Sequence, residues 1–202
     1  MRGKTKIVIG IIIASIVIPF AIYTISPLFL STEVNEPDPA ISLSEFQNYM
    51  NLSEEERIEV AKNMSREKAM MIGIMAAKQN TTVNENITFP VNQQFLNNTL
   101  TGTFVEIGDG FHEVDGVVKV IPVDSGAQIL RLENFKATNG PDLYVYLSKD
   151  KSASDFINVG RLKGNVGNQN YEIPAGTDLS KYNTVLIWCR AFSFLFGSAQ
   201  MS

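Results

Sequence analysis

From Thr101 onward the chain is written in short apolar runs separated by Gly, Asp and Asn, and this spacing confines the fold more than any other feature. Expected strands cover 103–107, 117–123, 129–135, 143–147, 159–162, 171–173, 185–189 and 192–196, with turns at Asp109-Gly110, Asp115-Gly116 and Asn139-Gly140-Pro141. No convincing long helix interrupts them, which argues against a parallel sheet with crossover helices. The expected fold is mainly β, an antiparallel sandwich or barrel-like domain over 100–202, and about 100 residues suffice for one modest core without disulfides. Residues 185–189 have apolar side chains on both faces, so this strand is expected at the centre of a sheet.

The amino-terminal half reads differently. Residues 7–30 hold no charged side chain, and these 24 residues would rise roughly 36 Å as a helix, enough to cross a bilayer. Arg2, Lys4 and Lys6 precede the stretch; Glu33, Glu36 and Asp38 follow it. The expectation is a basic cytoplasmic tail over 1–6, a single transmembrane anchor over 7–30 and an extracytoplasmic remainder. A cleaved signal peptide is the alternative, but its apolar core would be shorter, about 7–15 residues, and no A-x-A site follows. Residues 31–79 read as a tether and a short helical stalk. Ser53 followed by Glu56 is a capping box and Ser65 marks a second helix start. The methionines Met50, Met64, Met70, Met71 and Met75 fall here. Their spacing is that of an ordinary apolar helix face, and a soft-metal site is the sharper alternative. Residues 80–99 read as an Asn/Thr-rich linker with sequons at Asn80, Asn86 and Asn97.

Seventeen basic residues less Arg2, Lys4 and Lys6 leave 14 against 21 acidic ones, so the external part is acidic. That argues against nucleic acid as a partner and against anionic lipid beyond the anchor.

One Cys and one His bound the chemistry. A Cys/His zinc site, a blue-copper centre with two His and an iron–sulfur cluster all need more ligands than the chain has. Thioredoxin-like exchange needs C-x-x-C, and no nucleotide-loop, nucleophile-elbow or H-E-x-x-H motif is present. Asp109, Asp115, Asp124 and Asp142 sit near turns and leave calcium open, although turn chemistry explains them as well. Strand parity puts Cys189 on one face with Val185, Ile187 and Ala191, and Arg190 on the other. Three readings stay open: a small core side chain, a thiolate ligand or redox thiol among aromatics, or an exposed thiol that links two copies of the chain. His112 is a loop residue or a ligand.

The carboxy-terminal half resembles the DM-thirteen, or electron-transfer DM-thirteen, domain family. The resemblance rests on Gly102-Thr103-Phe104, Phe111-His112-Glu113-Val114, Leu132-Glu133-Asn134-Phe135, Gly140-Pro141-Asp142-Leu143, Tyr171-Glu172-Ile173-Pro174 and Ile187-Trp188-Cys189, with Phe192 and Phe196-Gly197-Ser198-Ala199 trailing. It implies a surface-associated β domain in which Cys189 acts as a redox thiol or binds a prosthetic group such as haem. His112 and Trp188 are the secondary cofactor-binding candidates, and a redox partner protein at the cell surface is implied. Haem suits the ligand count because one axial side chain suffices. The expectation is therefore an electron carrier rather than a turnover enzyme. The alternative is a non-catalytic interaction module with Cys189 buried in its core.

Overall fold

The computed structural model describes residues 41–88, 90, 99–123 and 126–202. The expected anchor at 7–30 and Asp124 lie outside them. Among the described residues, no helix is long and apolar enough to cross a membrane.

Among the described residues, three short helices come first: α1 (Leu43–Asn51), α2 (Glu54–Lys62) and α3 (Arg66–Ala77). Each starts on a serine whose side chain accepts an orphan helix amide. Ser42 with Glu45 and Ser53 with Glu56 form complete capping boxes, and Ser65 accepts from the Lys68 N–H. The boundaries expected from Ser53 and Ser65 hold; Ser42 opens a third helix by the same chemistry. Ile41, Phe46, Tyr49, Ile72 and Ala76 form a small core between α1 and α3, with Met50, Met64, Met71 and Met75 packed on it. Four of the five methionines are thus apolar filler, the blander of the two sequence readings. Met70 is not; it is 59% exposed.

Nine strands follow among the described residues: β1 (Thr101–Thr103), β2 (Val105–Glu106), β3 (Val114–Pro122), β4 (Gln128–Ala137), β5 (Leu143–Ser148), β6 (Phe156–Arg161), β7 (Val166–Ile173), β8 (Thr184–Cys189) and β9 (Phe194–Gln200). They form two antiparallel sheets, ordered β1-β3-β4-β7 and β2-β9-β8-β5-β6. Inward residues alternate along each strand. Val118 pairs with Leu132 and Val120 with Leu130 in one sheet; Val145 pairs with Ile187 and Leu147 with Val185 in the other. These side chains meet in one core between the sheets. The strand expected at 103–107 is two strands, because the chain passes from one sheet to the other at buried Phe104. A bulge at Gly116 (φ +121°) bends β3 around Phe135; a Cβ there would stand 2.8 Å from the Phe135 Cα.

β8 is central, between β9 and β5, as its two apolar faces require. Val185, Ile187 and Cys189 face the inter-sheet core. Leu186 and Trp188 face outward with Tyr144 and Tyr146.

Residues 81–86 are not a free linker. The Val83 and Glu85 amides donate to Val166 and Asn168 carbonyls at 2.9 and 2.8 Å, and the Glu85 carboxylate accepts from the Asn170 amide at 2.7 Å. β7 is an edge strand, and its unpaired backbone groups accept this polar segment as a strap.

The helices and the sandwich fall in one compact unit. α2 has few apolar side chains, and its one buried residue is Arg57. That guanidinium donates to the Met50 and Leu52 carbonyls at 3.0 and 2.8 Å and to Asp142 Oδ1 at 3.2 Å. Asp142 is fully buried and precedes β5. Arg190, just after β8, lies 3.5 Å from Asp142 Oδ2 without hydrogen-bond alignment, and bonds Glu54 at 2.8 Å. A buried charge cluster thus docks α2 on the sandwich, and Tyr49 stacks on Phe192 beside it.

Candidate functional site

Cys189 ends β8, where the chain turns through 190–193 into β9. Its Cα partners are Leu143 of β5 and Phe194 of β9. The residue is 1% exposed. Burial pushes the thiol up to about 11; the backbone N–H groups of Phe192, Asp142 and Ala191 oppose the rise, and the Asp142 charge adds to it. Arg190 points to the opposite face, toward Tyr144, whose ring its guanidinium covers at 4.5 Å, so it does not activate the thiol.

His112 lies in the loop between β2 and β3. Asp109 organises that loop: its Oδ1 accepts the Phe111 and His112 amides at 3.0 and 2.8 Å, and its Oδ2 meets His112 Nδ1 at 2.5 Å. Desolvation favours the neutral carboxyl, but these three donors outweigh it and hold the Asp109 carboxyl at about 2. Ionised Asp109 only accepts, so Nδ1 carries a proton and Nε2 is the remaining ring position. The imidazole packs against Phe196, Phe194 and Phe111, with ring centroids at 4.2, 4.8 and 4.9 Å.

Cys189 and His112 line the same cleft, of about 740 Å³, within the range of ligand sites. Phe192, Phe194, Phe196 and Pro141 make its sandwich side. α3 makes the other side with Arg66, Ala69, Met70, Gly73 and Ile74. Met70, Phe111 and Phe194 line it while remaining exposed. The lining is apolar except for the Asp109–His112 pair, the Cys189 thiol and Arg66.

Trp188 does not join this site. It lies on the outward face of β8, stacked at 6.5 Å on Tyr146. Asp142 and Asp109 each have cationic or N–H partners of their own. Among the described residues, no group of three or more His, Cys, Asp or Glu side chains could hold a metal ion.

Sequence reasoning missed the α3 wall and the role of Asp109. The second had a local signal: an Asp in a turn accepts backbone amides a few residues on, as Asp109 does from Phe111 and His112. The first had only the shared helix face of Met70 and Ile74, which does not say what the face meets.

Residues 105–201 match the family model described as Electron transfer DM13. No curated protein and no solved structure matches the chain.

Proposed function

We propose that this chain, whose carboxy-terminal domain is an electron transfer DM13 domain, is a membrane-anchored extracytoplasmic redox module that works through the cleft lined by Cys189. The observation that carries the reading is the convergence of Cys189 and His112, from distant parts of the sequence, on one apolar cleft. The anchor rests on the uncharged stretch 7–30 and its flanking charges.

Between a free redox thiol and a prosthetic-group ligand, the surroundings of Cys189 favour the ligand. With the thiol at about 11, only about one molecule in ten thousand carries a thiolate at pH 7, and thiol exchange is correspondingly slow. A bound metal removes that obstacle, because it displaces the proton. The residues present fit a haem. The walls are aromatic and aliphatic, one thiol and one imidazole are in the lining, the imidazole Nδ1 is held by a carboxylate, and no further protein ligand is needed. Because Cys189 is 1% exposed and the backbone N–H groups of Phe192, Asp142 and Ala191 bond its sulfur, a macrocycle reaches that sulfur only if the residues around it give way. Haem would supply one-electron exchange at its iron. The chain's own residues do the rest: Cys189 provides sulfur and releases a proton, Asp109 fixes the imidazole, and the phenylalanines exclude water.

The test is the visible absorption of the full chain supplied with haem, compared with Cys189→Ser. A haem band that is altered or lost in the variant supports the ligand role. A colourless parent protein, with a thiol that reacts only on unfolding, supports instead the interaction module with Cys189 as a core residue. Membrane anchoring is checked by alkaline extraction of membranes, which releases a peripheral protein and leaves an anchored one.

A further inference from the structure

The cleft is apolar almost throughout, and its charged groups are not equivalent. Asp109 is satisfied locally by the His112 ring and two backbone amides, so it offers no free charge to a ligand. Arg66 is different. It lines the cleft from the first turn of α3, and among the described residues no hydrogen bond or ion pair engages its side chain. Two other arginines of the helix–sandwich junction, Arg57 and Arg190, are held by Asp142 and Glu54. Glu67, beside Arg66 in the sequence, is not part of the lining.

We propose that the cleft takes an apolar ligand bearing a carboxylate, and that Arg66 is the residue that binds the carboxylate. This deepens the reading above, since it rests on the cleft being the ligand site. A guanidinium with no partner among the described residues, exposed beside a cleft walled by Met70, Ile74, Phe111 and Phe194, matches a ligand with an apolar body and an anionic end. The apolar body is removed from water against α3 and the phenylalanines, while the carboxylate stays at the rim, where Arg66 pairs with it in fork geometry. α3 lies outside the matched residues 105–201, so this selectivity comes from the chain's own helical segment. The Arg57–Asp142 contact holds that segment in place. A porphyrin with propionate groups and a fatty acid share this chemistry, and the experiment separates them.

Binding is measured by calorimetry on the full chain in lipid nanodiscs, with three probes: haemin, haemin dimethyl ester and a medium-chain fatty acid. The proposal expects haemin to bind about tenfold more tightly than its ester, and Arg66→Gln to erase the difference. Arg66→Lys keeps part of it, which separates charge from side-chain volume. An unchanged melting temperature in Arg66→Gln shows that the fold is intact, as the exposed side chain leads one to expect. If only the fatty acid binds, with the same dependence on Arg66, the inference stands and the haem reading falls. If haemin binds equally well as acid and ester, in parent and variant alike, the inference falls and the haem reading stands. If none of the probes binds, both fall.

Discussion

Replacing Arg57 with methionine removes the cation that, among the described residues, hydrogen-bonds Asp142, and leaves a carboxylate with no solvent exposure. Breaking a buried pair from one side costs about 3–5 kcal/mol, because the remaining charge stays desolvated. Two opposing details set the value within that range. Arg190 Nε still lies 3.5 Å from Asp142 Oδ2, which softens the loss. The Met50 and Leu52 carbonyls lose their donor, which adds to it. About 4 kcal/mol is expected, or a fall in melting temperature of about 8–16 °C for a chain of this size. Thermal unfolding followed by far-ultraviolet circular dichroism gives the number. The double variant Arg57→Met with Asp142→Leu removes the stranded charge as well, and it should recover at least about 1–2 kcal/mol relative to the sum of the single changes. An Arg57→Met protein that melts within about 2 °C of the parent would refute the view that this pair docks the helices on the sandwich.

Three further outcomes follow from particular residues. The folded-state thiol of Cys189 lies at about 11 against an ordinary 9.0, so its stabilising contribution is complete below pH 9 and is lost as pH rises toward 11. Urea unfolding midpoints should decline over that window in the parent and decline less in Cys189→Ser. Asp109→Asn removes the carboxylate that fixes His112, so exchange-averaged NMR signals of the imidazole should report a mobile ring, whereas a ring held by its phenylalanine contacts alone would leave those signals unchanged. Gly167 has φ +112°, and a Cβ there would run into the Val83 carbonyl and stand 2.8 Å from Asn84 Oδ1. Gly167→Ala should therefore release residues 81–86 from β7 and expose them to proteolysis; equal cleavage of parent and variant would show that the strap does not depend on this approach.

Strand identity and the parity of β8 were readable because each depends on local alternation. Val185, Ile187 and Cys189 had to share a face whatever they packed against, and two apolar faces required a central position. The capped helix starts were readable for the same reason, since Ser53 and Glu56 satisfy each other within one turn. What the sequence concealed is set by contacts between distant residues. Arg57 reads as a solvated helix charge until Asp142, 85 positions away, is placed against it. Residues 80–88 look like a linker because they are polar, but an edge strand needs polar partners and polar composition does not tell the two apart. The cleft was partly legible: Cys189 and His112 were each candidates, but their meeting depends on the Asp109 loop folding onto the Phe194 and Phe196 rings. Trp188 adjoins Cys189 in sequence and belongs to the opposite face, as strand alternation requires.

The role of Cys189 as a prosthetic-group ligand is tested most directly by the absorption spectrum of the full chain produced with haem available. The expected result is a haem band in the parent protein, shifted or abolished by Cys189→Ser while the melting temperature stays close to that of the parent. A parent protein with no such band, or a band identical in Cys189→Ser, would contradict it.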